Sequence, residues 1–450
     1  MAGRWPTRKV RDFTEYFLSG DPFNKLEYSM TGIPVISKGD ISRAGKVNVP
    51  FDKFIDLNVL EKKGYSLTRE SEIIVSTRDL TQSADNLGIL GKVPIGGPYL
   101  VNQGANRLKL NDKIDHQYFI YWSRGYVFRD YVKSCAIGST QIHLRKEDFL
   151  SAPIAFPPLT IQRQIAAILS AFDDKIELNR RMNHTLEQIA RALFKSWFVD
   201  FDPVRAKMRS GQPEGMDAET AALFPDRLVE VDGKEVPEGW EVKTVGDVFT
   251  LYGGSTPSTT NPAFWDKGEF HWTTPKDMSG LDVPFLTRTE RRITRLAAEN
   301  ISSGVLPAGT VLLSSRAPVG YLAIANMPVS INQGYIALDA NGTIGEYFVL
   351  NLLQSRMQEI KGMASGTTFV ELSKSAFRHL KIVLPGQDLT DVFEKQVKYF
   401  YLQIRANIYE SAQLARLRDA LLPRLLAEEI DLRGWGISST TFERLHHEFH

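Results

Sequence analysis

The feature that most restricts how this chain can fold is an internal repeat. "GSTQIHLRKEDFLSAPIAFP" from Gly138 and "GTTFVELSKSAFRHLKIVLP" from Gly366 agree at seven of twenty positions, 228 residues apart. Other landmarks recur at a similar offset, drifting to 238. Trp5, Val10 and Asp12 answer Trp240, Val245 and Asp247, and Asp40 in "ISKGDIS" answers Asp277 in "TTPKDMS". "STR" ending at Arg78 answers "SSR" ending at Arg316, and "VNQG" from Val101 answers "INQG" from Ile331. A drift of that size fits surface loops that gained and lost a few residues, so the chain is a tandem duplication.

Each repeat ends in a long helical stripe. After Pro157, apolar residues fall at Ile161, Ile165, Ile168, Phe172, Ile176, Met182, Leu186, Ile189 and Leu193, in helical steps. After Pro385 the series is Phe393, Val397, Phe400, Ile404, Ile408, Leu414, Leu417 and Leu421. Thr160 and Asp388 occupy matched positions where a side chain can cap a helix N-terminus, and Pro423 is expected to break or kink the second helix. A span of roughly 35 to 40 residues, about 55 Å, exceeds what one small domain needs, which favours the two helices packing on each other. The expected seam is Phe172, Ile176, Asn179 and Leu186 against Phe400, Ile404, Asn407 and Leu414. Asn179 and Asn407 match across the repeat; either they fix register inside the seam, as in coiled coils, or they face solvent.

The preceding parts read as mixed domains. Short β-rich runs such as "SEIIVSTR", "GTVLLSSR" and "HLKIVLP" alternate with turns, and "DHQYFIYWSRGYVFRDYV" and "GEYFVLNLLQSRMQEIKG" read as helical. The expected layout is a mixed domain over 1–158, a long helix over 159–200 and a polar linker over 201–236. A second mixed domain follows over 237–386, then a long helix over 387–428 and a tail over 429–450.

Composition excludes several classes. A chain of 450 residues, 43% hydrophobic, has ample material for packed cores but no apolar run long enough to span a membrane, and the start "MAGRWPTRKV" lacks a signal peptide's apolar stretch. A cytoplasmic location is expected. The single cysteine, Cys135, excludes an internal disulfide and reads as a small buried side chain. With 54 basic against 53 acidic residues, any affinity for nucleic acid must come from local arrangement or from a partner.

No catalytic constellation emerges. "NPAF" from Asn261 resembles the loop that grips a base in DNA methyltransferases, but Ala263 replaces its second proline and no glycine-rich cofactor turn accompanies it. It reads as a surface turn. Pro225 and Asp226 with Glu241 and Lys243 fit only a permissive nuclease pattern, and "GGST" from Gly253 lacks a phosphate loop's lysine. His446, His447 and His450 read as a solvated tail, so no metal site is expected.

The stretch "PPLTIQRQIAAILSAFDDKIELNRRMNHTLEQIARALFKSWFVDFDPVRAK", followed by "LFPD" and "VPEGW", resembles the central region of specificity subunits of type I restriction-modification enzymes. The resemblance covers nearly the whole chain. It implies an α+β protein: two tandem mixed α/β target-recognition domains joined by two long helices that form an antiparallel coiled coil. It further implies that each domain reads one half of a split DNA site, that the helical spacer sets the gap, and that two modification subunits bind this chain. S-adenosylmethionine would reside on those subunits, which methylate adenine. ATP and Mg would serve restriction subunits that translocate and cleave DNA. The chain itself would be non-catalytic and hold no cofactor. A coiled-coil scaffold protein, or the specificity subunit of another restriction-modification class, are the competing readings.

Features common to both repeats cannot make the two halves read different bases. Asp40 and Asp277, Arg78 and Arg316, Asn102 and Asn332, Thr140 and Thr368, and Lys146 and Lys374 are therefore assigned to scaffold or phosphate contact. Arg78 and Arg316 are the leading phosphate candidates, with structural pairing to a carboxylate as the alternative; the "NQG" pair reads as a turn. Base reading is assigned to loops that differ: Gln82, Asn86 and Lys92 in the first repeat, and Thr256, Ser258, Thr259 and Lys276 in the second.

Overall fold

The computed structural model describes residues 5–49, 52–209, 211–339, 342, 344–366, 370–430 and 432. The chain divides into two compact units, the first of which is discontinuous in sequence. The first comprises Met1–Glu177 with Ser411–His450, the second Leu178–Glu410. Each long helix therefore contributes one half to each unit.

The duplication is visible strand by strand. In the first unit an antiparallel sheet runs in the order Thr14–Ser19, Ala105–Leu110, Ile73–Ser76, Leu90–Lys92. The second unit repeats it as Leu251–Tyr252, Tyr335–Leu338, Val311–Ser314, Leu322–Ala325, with Phe285–Leu286 added at the edge. Ile73, Val75 and Leu108 in one, and Val311, Leu313, Ile336 and Leu338 in the other, are buried on one sheet face by alternation along the strands. Helices His116–Arg124 with Tyr126–Ser134, and Glu346–Ser355 with Met357–Gly362, supply further core residues, so each helical stretch read from the sequence is two helices. A parallel strand pair also recurs, Ile33–Ile36 with Leu100–Val101 and Phe270–Thr273 with Val329–Ile331.

The long helices span Leu159–Phe198 and Gln387–Leu426, 40 residues each. Within the first unit Arg418 of the second helix bonds Asp173 of the first, which also accepts from Arg124 at 2.8 Å. Within the second unit Asn179 donates to Glu410 at 2.7 Å and Asn407 to Asn183 at 2.8 Å. In the second unit rising numbers on one helix meet falling numbers on the other, which is antiparallel pairing. Asn179, Asn183 and Asn407 are buried, at 0%, 5% and 3% exposure, which decides against the solvent-facing alternative.

The seam differs from the expected stripe in detail. Phe172 and Ile404 are buried, and Ile176, Leu186, Phe400 and Leu414 are half-buried, but Met182 and Ile189 are exposed; Asn183 and Ala190 take their places. Those steps of four, three and four stay on one face, whereas Met182 and Ile189 each lie one residue earlier, about 100° around the helix. Neither Thr160 nor Asp388 caps. Each lies inside the first turn, where the carbonyls of Pro158 and Gly386 accept the leading N–H groups. Pro423 does not end its helix, which continues to Leu426; so near the terminus, only one turn has to adjust to the missing N–H.

The expected linker 201–236 is folded. It forms helices Asp202–Met208 and Ala218–Ala222 and a hairpin of Leu228–Val231 with Lys234–Pro237. Phe201, Val204, Phe224 and Val236 enter the second unit's core beside Trp197, Phe198 and Trp240. Its polar composition hid four widely spaced apolar anchors. Of the tail, Ile430 and Leu432 are buried in the first unit's core; His446, His447 and His450 lie outside the described residues.

Glu394 of the second long helix accepts from the Phe348 N–H at 2.6 Å, at the start of helix Glu346–Ser355. Burial, then the charges of Glu346 and Asp391, push its pKa up to about 7 against the stabilising N–H groups of Phe348 and Tyr347. A carboxyl whose folded pKa lies above its unfolded value contributes stability below the unfolded pKa that is lost as pH rises through the folded one. The second unit should thus lose stability between about pH 4.5 and 7. Glu394→Gln should remove that slope and stabilise the protein at pH 8 by at most about 3 kcal/mol. Thermal unfolding of both proteins at pH 5 and pH 8 checks this; parallel pH dependences would contradict it.

Candidate nucleic-acid interface

The motifs that recur in sequence converge in space. In the first unit the Thr77 N–H donates to Gly104 of "NQG" at 3.0 Å, and its carbonyl accepts from Leu144 at 3.0 Å. In the second unit the Ser315 N–H donates to Gly334 at 2.8 Å, and its carbonyl accepts from Leu372 at 2.8 Å. The end of a core strand is thereby stitched on one side to the "NQG" turn and on the other to the segment that begins the longest repeat. Gly20 and Gly254 lie against this turn from a third side: a Cβ would sit 2.4 Å from the Asn102 carbonyl in one unit and 1.8 Å from that of Ile331 in the other. Only glycine permits that approach.

The shared aspartates hold turns. Asp40 accepts from the Ser37 N–H at 2.7 Å, and Asp277 from those of Thr274 and Glu290, each at 2.8 Å. Asp12 and Asp247 do the same for Lys9 and Thr244 at 3.0 and 3.2 Å. These are capping boxes, in which a side chain three residues into a turn satisfies an orphan donor. Asn332 accepts from the Gly334 N–H at 2.8 Å, and Asn102 donates to the Tyr28 hydroxyl at 3.2 Å, so both serve the turn as well.

Arg78 and Arg316 stand directly after the stitched residues. Arg78 pairs through its backbone with His143, its stem lying over Gly104, and Arg316 bridges Glu371 by backbone. Both are half-exposed, and among the described residues neither side chain forms a hydrogen bond or ion pair. The carboxylate partner that a structural role would supply is not found there, which leaves two guanidinium groups at equivalent places with donors free for an anion.

The base-reading candidates divide by position. In the first unit Gln82 donates to the Ser139 carbonyl, joining the loop after Asp79 to the loop carrying Thr140. Asn86 is exposed, and its N–H is held by Asp79 at 2.7 Å. Arg78, Gln82, Asn86 and Thr140 thus belong to two loops joined at the junction. Lys92 does not join them: it is exposed on an edge strand, opposite Ile73 and bridged to Lys46. In the second unit Thr256 donates to Gln333 of the "NQG" turn at 2.7 Å, and Lys276 sits beside Pro275, which abuts Gly334. Ser258 and Thr259 are exposed on the same loop as Thr256, braced by Trp265 donating to the Ser258 carbonyl at 2.9 Å. Lys276 is paired with Glu290 at 2.7 Å in an exposed ion pair. Lys146 donates to the Phe17 carbonyl at 3.1 Å, a scaffold role; Lys374 lies near Gly253, and Thr368 is outside the described residues.

"NPAF" is a short turn in which Asn261 accepts from the Ala263 N–H at 3.1 Å, and Lys243 is paired with Glu241. Among the described residues no group of three or more His, Cys, Asp or Glu is placed to hold a metal ion, and no helix is long and apolar enough to cross a membrane. One basic feature belongs to no motif, the run "TRTERRITR" from Thr287, whose signal is plain charge density in one repeat alone.

The sequence matches the family described as "Type I restriction modification DNA specificity domain" twice, over residues 3–188 and 237–397. The chain belongs to that family. It is 34% identical over 327 residues to the type I restriction enzyme HindI specificity subunit of Haemophilus influenzae, covering 62% of this chain and 69% of that protein. It is 25% identical to the MjaIX specificity subunit of Methanocaldococcus jannaschii, over 95% of this chain and 93% of that one. Its fold is similar to the crystal structure of a type I restriction-modification S subunit from M. genitalium, with a TM-score of 0.51 at 15% identity, covering 94% of this chain and 96% of that chain. This is a specificity subunit of a type I restriction-modification system, the component that recognises DNA sequence.

Arg78→Gln and Arg316→Gln should each weaken DNA binding several-fold whether or not the duplex carries the recognised site. Each should lower the slope of log affinity against log salt by about 0.9, the value of one phosphate contact. Salt titrations of the specificity subunit check this; unchanged slopes with reduced thermal stability would return both arginines to the scaffold.

Proposed function

We propose that each unit reads one half of a split, asymmetric DNA site through loops arranged around its stitched junction, while the paired long helices set the gap and dock two modification subunits. The observation that carries this reading is the contrast at the junction. The stitches at Thr77 and Ser315, the capping aspartates and the following arginine recur. The surrounding loops differ in length and residues: "DLTQSADNLG" follows Arg78, whereas "APVG" follows Arg316. A common scaffold with common phosphate anchors and different loops is what two different half-sites require.

Catalysis in this account lies with partners. Modification subunits bearing S-adenosylmethionine methylate adenine in each half-site, and restriction subunits use ATP and Mg for translocation and cleavage. The chain's own residues supply sequence choice and the mounting surface.

Replacing Gln82 and Asn86 together by alanine should alter or relax the first half-site alone, and replacing Thr256, Ser258 and Thr259 the second alone, with assembly intact. A wrong base typically costs about 1–3 kcal/mol, so roughly ten- to hundredfold discrimination is at stake at each altered position. Mapping methylated adenines in DNA modified by the reconstituted variants reads both half-sites. An unaltered motif would remove these loops from base reading.

A further inference from the structure

The two units differ most where the duplication makes them directly comparable. Strand Phe54–Ile55 in the first unit and strand Arg291–Ile293 in the second pair antiparallel with equivalent strands, Ile33–Ile36 and Phe270–Thr273. Each is followed at once by a helix whose preceding residue caps it, Asp56 accepting from Asn58 and Thr294 from Ala297. These anchors set Lys53, Phe54 and Leu57 against Arg291, Arg292 and Arg295. The first repeat carries one cation over "PFDKFIDL"; the second carries Arg288, Arg291, Arg292 and Arg295 over "RTERRITR".

The strands also differ in cover. Tyr28–Ser29 pairs with Phe54–Ile55 on its outer side, whereas Arg291–Ile293 is the last strand of its sheet. All four arginines are exposed, and among the described residues none forms an ion pair. Glu290, the carboxylate inside the run, is engaged by Lys276. The guanidinium groups rest on aromatic faces: Arg291 lies 3.4 Å from the Trp265 ring centre and 5.6 Å from that of Trp272, and Arg295 lies 5.5 Å from that of Phe270. Arg292 is 3.3 Å from the His271 ring nitrogen, and burial, then Arg292 itself, lowers the His271 pKa, so the ring is neutral near pH 7. Charge on an exposed edge strand also discourages edge-to-edge aggregation. That purpose does not call for four cations of one sign, three of them held in place by rings. Stacking orders the guanidinium planes while leaving their N–H donors outward, a preorganised array for phosphate oxygens.

We propose that the Arg288–Arg295 edge of the second unit is a phosphate-backbone rail for double-stranded DNA, absent from the first unit, so that the two halves of the subunit grip DNA unequally. This rests on the DNA-recognition reading above. It adds a sequence-independent anchor distinct from the loops that choose bases.

The test uses the full-length specificity subunit with its modification subunits. Binding is measured to a duplex carrying the recognised site and to one lacking it, between about 50 and 200 mM salt. The variants replace Arg291, Arg292 and Arg295 together by Gln, and separately by Lys; Lys53→Gln is the first-unit control. With Gln, affinity for both duplexes should fall by similar factors and the salt slope by roughly two to three, while the methylated motif stays the same. The Lys variant should keep most of the slope, and Lys53→Gln should change it by no more than about one. Unchanged affinity and slope would overturn the rail. So would a loss confined to the matched duplex with an altered motif, which would make these arginines base readers. Equal loss in the Lys variant would mark a structural role, and weakened subunit assembly with normal DNA binding a protein-docking edge. If the unmodified complex fails to discriminate the two duplexes, it is the sequence-recognition reading that fails; the slope on unmatched DNA still decides the rail.

Discussion

Everything else in this molecule hangs on the pairing of its two long helices, and that pairing depends on a few buried polar contacts. An apolar seam alone tolerates sliding by a heptad, because one leucine layer resembles the next. Burying Asn179, Asn183 and Asn407 removes that freedom, since each must find a partner or lose roughly 1–3 kcal/mol of hydrogen bonding. Asn183 meets Asn407 and Asn179 meets Glu410 in the second unit, and Asp173 gathers Arg124 and Arg418 in the first. Burial would raise the Asp173 pKa, but the two guanidinium groups hold it below the usual range, so the contact is ionic at neutral pH. Register is thus fixed by chemistry that a shifted alignment could not satisfy. Because each helix is divided between the two units, that register also forms part of both cores.

The duplication explains how one architecture serves two readings. Hydrogen bonds at Thr77 and Ser315, close backbone approaches at Gly20 and Gly254, and capping aspartates are backbone geometry, indifferent to which loop follows. Loops can diverge on such a frame at little structural cost. The near-zero net charge is no obstacle to DNA binding, since the cations are local. In the second unit Arg291 rests on tryptophan rings and Arg295 on Phe270, and in both units an arginine without a side-chain partner among the described residues follows the stitched strand end.

Much of this was legible in the sequence because duplication turns one chain into its own comparison. The strands "IIVS" and "VLLS", the helical character of the stretches after them and both long helices are legible in the sequence, though not the break that makes each shorter stretch two helices. The failures have physical causes. Met182 and Ile189 belong to the apolar stripe by composition but not by phase, whereas Asn183 keeps the phase and is polar. The segment 201–236 read as a linker because its anchors, Phe201, Val204, Phe224 and Val236, are spaced irregularly and bury through tertiary contact. Lys92, like Gln82 and Asn86, lies where the repeats differ, but the strand carries it away from their loop. Conversely the Arg288–Arg295 edge carries no motif shared by the two repeats, so the duplication does not mark it.

The central claim is that this subunit alone chooses the sequence and its partners alone do the chemistry. The most direct measurement is the pattern of methylated adenines in a plasmid treated with the purified chain and its modification subunits, with each component omitted in turn. The account predicts a single split, asymmetric motif that appears only when both are present. Methylation at the same sites without this chain, or none that depends on it, would contradict it.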